Sequence, residues 1–321
     1  MFAAYAARFD RDHPLNALEL GDRPEPEAPG PDWTVVHVRA ASLNHHDLWS
    51  LRGVGLGAEA LPMTLGCDAA GVDEDGNEVL VHSVIGATGH GVGPTERRSL
   101  LSEKYQGTFA ERVTVPRWNV LPKPAELSFE EAACLPTAWL TAYRMLFTNA
   151  GVRPGDTVLV QGAGGGVATA AIVLGAAAGL RMLVTSRDAA KRERAVALGA
   201  EAAFEAGARL PRRVDAVLET VGAATWSHSV KSLRPGGTLV ISGATSGQAP
   251  TSAELNRIFF LELRVVGSTM GGRDELAALA SFCAAKGVRP VIDTVLPLER
   301  AGEGFARMAA GEQFGKIVLT V

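Results

Sequence analysis

The sequence predicts an α/β protein built on a doubly wound parallel sheet, with a second, β-rich domain. Three observations carry this. From residue 128 onward, short unbroken apolar runs alternate with helical stretches. One of those runs ends directly in a glycine cluster that opens a helix. The first third of the chain instead alternates apolar and polar residues between Gly, Pro and Asp turns, with no sustained helical period. A length of 321 residues suits about two domains. With 47% apolar and 21% charged residues, the chain can bury a core without a disulfide or metal staple.

Taken in order, 34–39 (TVVHVR), 76–84 (GNEVLVHSV) and 109–116 (FAERVTVP) read as strands. Residues 86–104, glycine-rich and then charged, read as a long surface loop. Ser128 and Glu131 make an S-x-x-E capping box that opens a helix. Strands at 157–161 and 181–185 follow, the second leading into a helix that ends at Ala200. A strand at 214–220 precedes a helix over 227–233, and 238–242 and 264–268 are further strands. A helix over 274–286 and a strand over 316–321 complete the pattern.

Thirty-one basic residues against 35 acidic ones give a net charge of −4, which argues against nucleic acid as a partner. The longest nearly apolar stretch, 167–180, falls short of the roughly 20 residues of a membrane span. The apolar start MFAAYAA is stopped by Arg8 and Asp10, too soon for a secretory segment. Cys67, Cys134 and Cys283 are too few and too scattered for a disulfide framework. The expectation is a soluble, reduced, cytoplasmic protein acting on a small molecule, with no membrane partner.

The strongest motif is VLVQGAGGGVATAA at 158–171. Glycine allows a sharp turn and a close approach to a pyrophosphate, and the helix N-terminus then offers N–H groups and partial positive charge. Ala163, Gly164, Gly165, Gly166 and Val167 are the expected cradle, with Ala168 in the last place of the fingerprint. The bland alternative is a tight strand–helix turn, but strand, loop, helix and second strand all fall in order. NAD-binding folds place a carboxylate at the end of that second strand; here it ends in Thr185, Ser186 and Arg187, with Lys191 one turn on. Hydroxyl, guanidinium and ammonium groups suit a 2′-phosphate, so NADP(H) is the expected cofactor. Ser242 and Gly243 end a later strand where backbone would border the same ligand.

With NHHD at 44–47, LGCDAAG at 65–71, GTFAERVTV at 107–115, PTAWLTAY at 136–143, RPGG at 234–237 and GKIV at 315–318, the chain resembles the medium-chain dehydrogenase/reductase superfamily. The resemblance covers essentially the whole length. It implies a GroES-like catalytic domain from 1–128 and 273–321, and a Rossmann domain over 129–272, with cofactor and substrate meeting between them. Zinc-dependent members hold their catalytic metal with Cys, His and Cys; the matching places here are Asn44, Cys67 and Thr137, a poor set for zinc. The four-cysteine structural lobe is absent as well. The resemblance therefore points to the zinc-free, quinone oxidoreductase-like branch, in which NADPH reduces a conjugated acceptor. A few hydrogen-bond donors can stabilise such an acceptor's developing anion.

Further site residues follow from the resemblance. Asn44 donates to the substrate or the nicotinamide ribose, His46 lies on the proton path, and Thr137 fills a vacated metal position. His45 faces the cofactor phosphates, Thr141 the nicotinamide half, and Lys316 either reaches the cofactor or is an exposed strand residue. Thr137 and Thr141 share a face if their helix is regular. Trp49, Trp139 and Phe109 wall a substrate slot or simply pack the core. Tyr105 is a substitute proton donor in the same scheme. Two other functions stand beside the leading one: an alcohol dehydrogenase with an atypical metal site from His45 or His46 with Cys67 and Asp68, and a non-catalytic NADPH-binding protein. The resemblance also implies a homodimer through the edge strand at 264–268.

Overall fold

The computed structural model describes residues 1–86 and 99–321. These divide into two compact units, Met1–Ala138 with Gly271–Val321, and Trp139–Met270. The first division falls inside the helical run that opens at Ser128 rather than at its start.

The first unit begins with an antiparallel hairpin, β1 (Phe2–Ala6) and β2 (Leu18–Asp22), which the sequence reading did not identify. β3 (Trp33–Ser42) leads into a short helix, α1 (His45–Leu51). Seven residues are too few to show a helical period, so α1 was not legible as one; Asn44 caps it and Asp47 completes a capping box. Then come β4 (Met63–Thr64), β5 (Asp68–Asp73), β6 (Glu78–Val81), β7 (Val84–Ile85), β8 (Ser99–Leu100), β9 (Arg112–Pro116) and β10 (Val120–Pro122). Much of the loop expected at 86–104 lies outside the described residues; its described end pairs β8 with β7. Ser128 caps α2 (Phe129–Ala132) with the expected capping box. The helix does not continue regularly: Leu135–Trp139 and Arg144–Ala150 are π-helical, with α3 (Leu140–Tyr143) between them. The regular α-helical spacing assumed for Thr137 and Thr141 therefore fails.

The second unit is the doubly wound sheet. Its elements are β11 (Thr157–Gln161), α4 (Gly166–Ala177), β12 (Arg181–Thr185), α5 (Ala189–Ala197), β13 (Ala202–Phe204), β14 (Val214–Glu219), α6 (Trp226–Ser232), β15 (Leu233–Ile241), α7 (Leu255–Phe260) and β16 (Arg264–Gly267). The strand order is β13-β12-β11-β14-β15-β16, all parallel, so direction reverses between β11 and β14. All five residues of β11 are buried, as a parallel strand covered on both faces requires. Gly175 lets α4 approach β12 closely; a Cβ there would lie 2.3 Å from Met182 Sδ.

The chain returns to the first unit with α8 (Arg273–Lys286), β17 (Ile292–Pro297), α9 (Ala301–Ala309) and β18 (Lys316–Thr320). The large sheet runs β10-β6-β5-β3-β18-β17, with β9 also on β3, so N-terminal and C-terminal strands share one sheet. Phe109 and Phe305 pack edge to face in its core, and both Phe109 and Trp139 are fully buried, so core packing accounts for them.

A polar network sits beneath the carboxyl ends of the parallel strands. Thr185 donates to Gln161 Oε1, and the Gln161 amide donates to His228 Nδ1 and Ser229 Oγ, both at 2.9 Å. His228 therefore carries its proton on Nε2, which donates to Ala208 O at 2.9 Å. Ser229 Oγ donates to Glu219, whose carboxylate also accepts from Val221 N, Gly222 N and Thr225 Oγ1 at 2.8–2.9 Å. Removing that one carboxylate leaves several buried donors without an acceptor. Glu219→Ala should cost about 3 kcal/mol or more, read as a lower urea midpoint.

Candidate active site

On the second unit, Gly162 takes a left-handed φ of +85° at the end of β11, which allows the chain to turn into the loop. Gly165 caps α4, and a Cβ there would meet nothing within 4 Å, so the space before the helix is open. The first-turn N–H groups of α4 have no partner inside the helix and are available to an anion. Ala163, Gly164, Gly165, Gly166, Val167, Ser186, Arg187, Lys191, Ser242 and Gly243 all lie at or just beyond the carboxyl ends of β11, β12 and β15. The sheet thus brings these ten expected cofactor residues to one edge.

Arg187 is exposed and Ser186 half-buried at the end of β12. The nearby carboxylate, Asp188, accepts the Lys191 backbone N–H at 3.1 Å as the cap of α5, so it is engaged by the helix. Arg192, which the sequence reading passed over, donates to Ser186 O at 2.7 Å and adds a third cation beside that strand end. Thr141 is buried on α3.

On the first unit, three adjacent strands assemble a buried cluster. Ser42 of β3 stands opposite Asp68 of β5 and Val318 of β18, and Lys316 lies two residues earlier on β18. The Lys316 ammonium is 2% exposed and donates to Leu43 O and Asn44 Oδ1 at 2.7 Å and to Asp68 Oδ2 at 3.2 Å. Its three protons are all engaged inside the first unit, so of the two expectations for it the exposed strand residue is excluded. Asn44 Nδ2 donates to Asp68 Oδ2 at 2.8 Å, and its backbone N–H to Asp47 Oδ2 at 2.7 Å. The expected substrate-facing amide is therefore an interior brace, with its oxygen on Lys316 and its nitrogen on Asp68.

His46 is engaged at both ring nitrogens. Nε2 pairs with Glu103 Oε1 at 3.0 Å, and Nδ1 stands 3.4 Å from Cys67 Sγ. Burial opposes its charged form, yet Cys67 and the Glu103 carboxylate hold the imidazole well above its usual value. Burial pushes the Cys67 thiol up, against the pull of His46. Both ring nitrogens of His46 are thus engaged by neighbouring side chains in this arrangement. Thr137 is the member of the expected catalytic trio least tied into the interior. It is half-buried, and Ser83 Oγ, which already donates to Cys67 O at 2.7 Å, lies 3.3 Å away. His45 is exposed at the start of α1, edge-on to Trp49. Tyr105 packs against Trp33 with ring centroids 4.8 Å apart.

Known proteins share this fold. A family profile described as an alcohol dehydrogenase GroES-like domain matches residues 30–125, and one described as a zinc-binding dehydrogenase matches 193–319. The zinc-type alcohol dehydrogenase-like protein YogA of Leptosphaeria maculans is 30% identical, over 92% of each chain. A crystal structure of an NAD-dependent alcohol dehydrogenase superposes with a TM-score of 0.89 at 34% identity, over all of both chains. The 2-octenoyl-CoA carboxylase reductase CinF, in complex with NADP and 2-octenoyl-CoA, superposes at 0.88 with 26% identity, over 99% of this chain and 87% of its own. The chain is an oxidoreductase of the medium-chain dehydrogenase/reductase superfamily, with a GroES-like domain and a Rossmann domain. No helix among the described residues is long and apolar enough to cross a membrane.

Zinc, which the second profile implies, does not fit the positions at which zinc-type relatives bind it. Asn44 is engaged by the Lys316 ammonium and by Asp68, Thr137 offers a hydroxyl, and only Cys67 of the three offers a thiol. That ammonium also compensates the charge of Asp68, which is fully buried. Lys316→Met should lower stability by about 3–5 kcal/mol, and adding Asp68→Asn should recover part of the loss; chemical denaturation of the two variants reads both effects.

Proposed function

We propose that the protein is an NADP(H)-dependent reductase of α,β-unsaturated carbonyls or quinones that does not rely on a catalytic zinc held by the Asn44, Cys67 and Thr137 set. The observation that carries this reading is the Lys316 ammonium, bonded to Asn44 and Asp68 where a Lewis acid would need open donors. Saturated aldehydes rely on such an acid to polarise their oxygen, whereas conjugated acceptors spread the developing charge themselves. The similarity to a reductase that binds NADP and an enoyl thioester points the same way. The NAD-dependent relative points to the other cofactor. We favour NADP(H) because Arg187, Lys191 and Arg192 surround the end of β12 and its nearest carboxylate is tied up as a helix cap.

When bound, the reduced nicotinamide supplies the hydride. The α4 N-terminus holds the pyrophosphate, Arg187 with Ser186 takes the 2′-phosphate, and Ser242 and Gly243 border the ligand. His45 and Thr141 are assigned to its phosphate and nicotinamide portions. Thr137 donates a hydrogen bond to the substrate oxygen, and the enolate or hydroquinone takes its proton from solvent.

Chelator-treated protein should oxidise NADPH with a quinone or a conjugated enone and leave a saturated aldehyde untouched. Aldehyde turnover that disappears with chelation would overturn this reading; tight NADPH binding without any turnover would mark a non-catalytic binder. Arg187→Ala should raise the KM for NADPH by about tenfold and leave that for NADH nearly unchanged.

The partner we propose is a second copy of the chain. β16 is an edge strand with one neighbour, and beside it α7 exposes Leu255, Phe259 and Phe260, the last at 76%. Phe260→Asp should shift the chain from dimer to monomer in size-exclusion chromatography; an unshifted dimer would place the interface elsewhere.

A further inference from the structure

The cluster around Cys67 has the chemistry of a metal site that shares only Cys67 with the metal positions of the zinc-type relatives. His46, Asp47 and Cys67 each direct a ligand atom into one small volume, with all three atoms within 4.8 Å of one another. Cys67 and Asp47 are fully buried, and His46 is the half-buried member through which an ion would enter. Cys67 Sγ and His46 Nδ1 stand 3.4 Å apart. Zn–S and Zn–N bonds of about 2.3 and 2.0 Å in a tetrahedron put their ligand atoms about 3.5 Å apart, so this pair is already spaced for an ion. The third donor closes with about 1 Å of side-chain movement on the same geometry.

Two independent observations point to a ligand. Asp47 Oδ1 is buried and has no hydrogen-bond partner among the described residues, while Oδ2 caps α1. A lone carboxylate oxygen in the interior is costly unless something positive meets it. Second, Glu103 grips His46 Nε2 at 3.0 Å. A carboxylate behind a ligating imidazole is the usual outer-shell arrangement, because it keeps the proton on one nitrogen and turns the lone pair of the other toward the ion. Gly55, at φ +82°, makes room for that pair, since a Cβ there would lie 2.8 Å from Glu103 Oε1.

We propose that His46 Nδ1, Cys67 Sγ and Asp47 bind a zinc-class divalent cation, with Glu103 as the residue that positions His46. The ion replaces the proton shared between Nδ1 and Sγ; the thiol proton leaves to solvent and no electrons move. It clips α1 to the turn before β5, and the Lys316 cluster stays as it is. The site does not depend on the reductase reading, because it needs neither cofactor nor substrate.

The test is a titration of metal-depleted full-length protein with Co²⁺ alone. Binding should saturate at a single equivalent with thiolate-to-cobalt charge-transfer absorption in the near ultraviolet, and Zn²⁺ should abolish it by displacement. Cys67→Ser should lose the charge-transfer band while keeping the wild-type circular dichroism spectrum. Glu103→Gln should keep the band and bind Co²⁺ about 10–100-fold more weakly. If Cys67→Ser fails to fold, the Glu103→Gln affinity decides. No charge-transfer band in the wild type, a band that survives Cys67→Ser, or unchanged affinity in Glu103→Gln would each overturn the proposal.

Discussion

The interaction on which the first unit depends is the ammonium of Lys316 held by three oxygens in the middle of the large sheet. It compensates a buried carboxylate, joins the last strand to the third and fifth, and anchors the residue that caps the first helix. A charge so placed tolerates little change on any side. Its neighbours Ser42, Asn44 and Asp68 are all buried, and each bonds to another member of the group. The same ammonium occupies the side-chain oxygen of Asn44, one of the places matching the relatives' zinc ligands, so one side chain bears on both stability and the donors left at that place.

The second unit solves a different problem, presenting neutral backbone to an anion. Its charges are kept local. Asp188 serves its helix, Glu219 gathers the donors of the turn after its strand, and Gln161 orders the hydroxyls and imidazole around it. The edge where the strands end is thus rigid from below and basic on one flank, around Arg187 and Arg192. Recognition of a dinucleotide follows from that combination.

Legibility in the sequence followed the range of the interactions. Strands 157–161 and 181–185 were read with their observed limits, because parallel strands buried on both faces leave unbroken apolar runs between clear turn signals. The cap at Ser128 is a contact three residues long and was equally plain. The burial of Lys316 is not legible, since its carboxylate partner is 248 residues away and leaves no periodic trace. Asn44 and His46 stand out in the sequence as chemically important, but their contacts do not. Their partners, Lys316 and Glu103, come from distant segments, and a residue's spacing does not say which neighbours its polar atoms will meet. The π-helical turns at 135–139 and 144–150 were likewise invisible, because their sequence carries ordinary helical periodicity.

The sharing of one sheet by both chain ends orders events during synthesis. The second unit is a continuous stretch, 139–270, and can fold as soon as it has left the ribosome. The first unit cannot, because the counter-charge of Asp68 is made 248 residues after it, beyond the whole second unit. Until then the N-terminal strands hold an uncompensated carboxylate at their centre and lack β17 and β18 beside β3. The nascent chain can therefore carry a finished nucleotide-binding unit before closure of the large sheet, which waits for the strands that follow that unit.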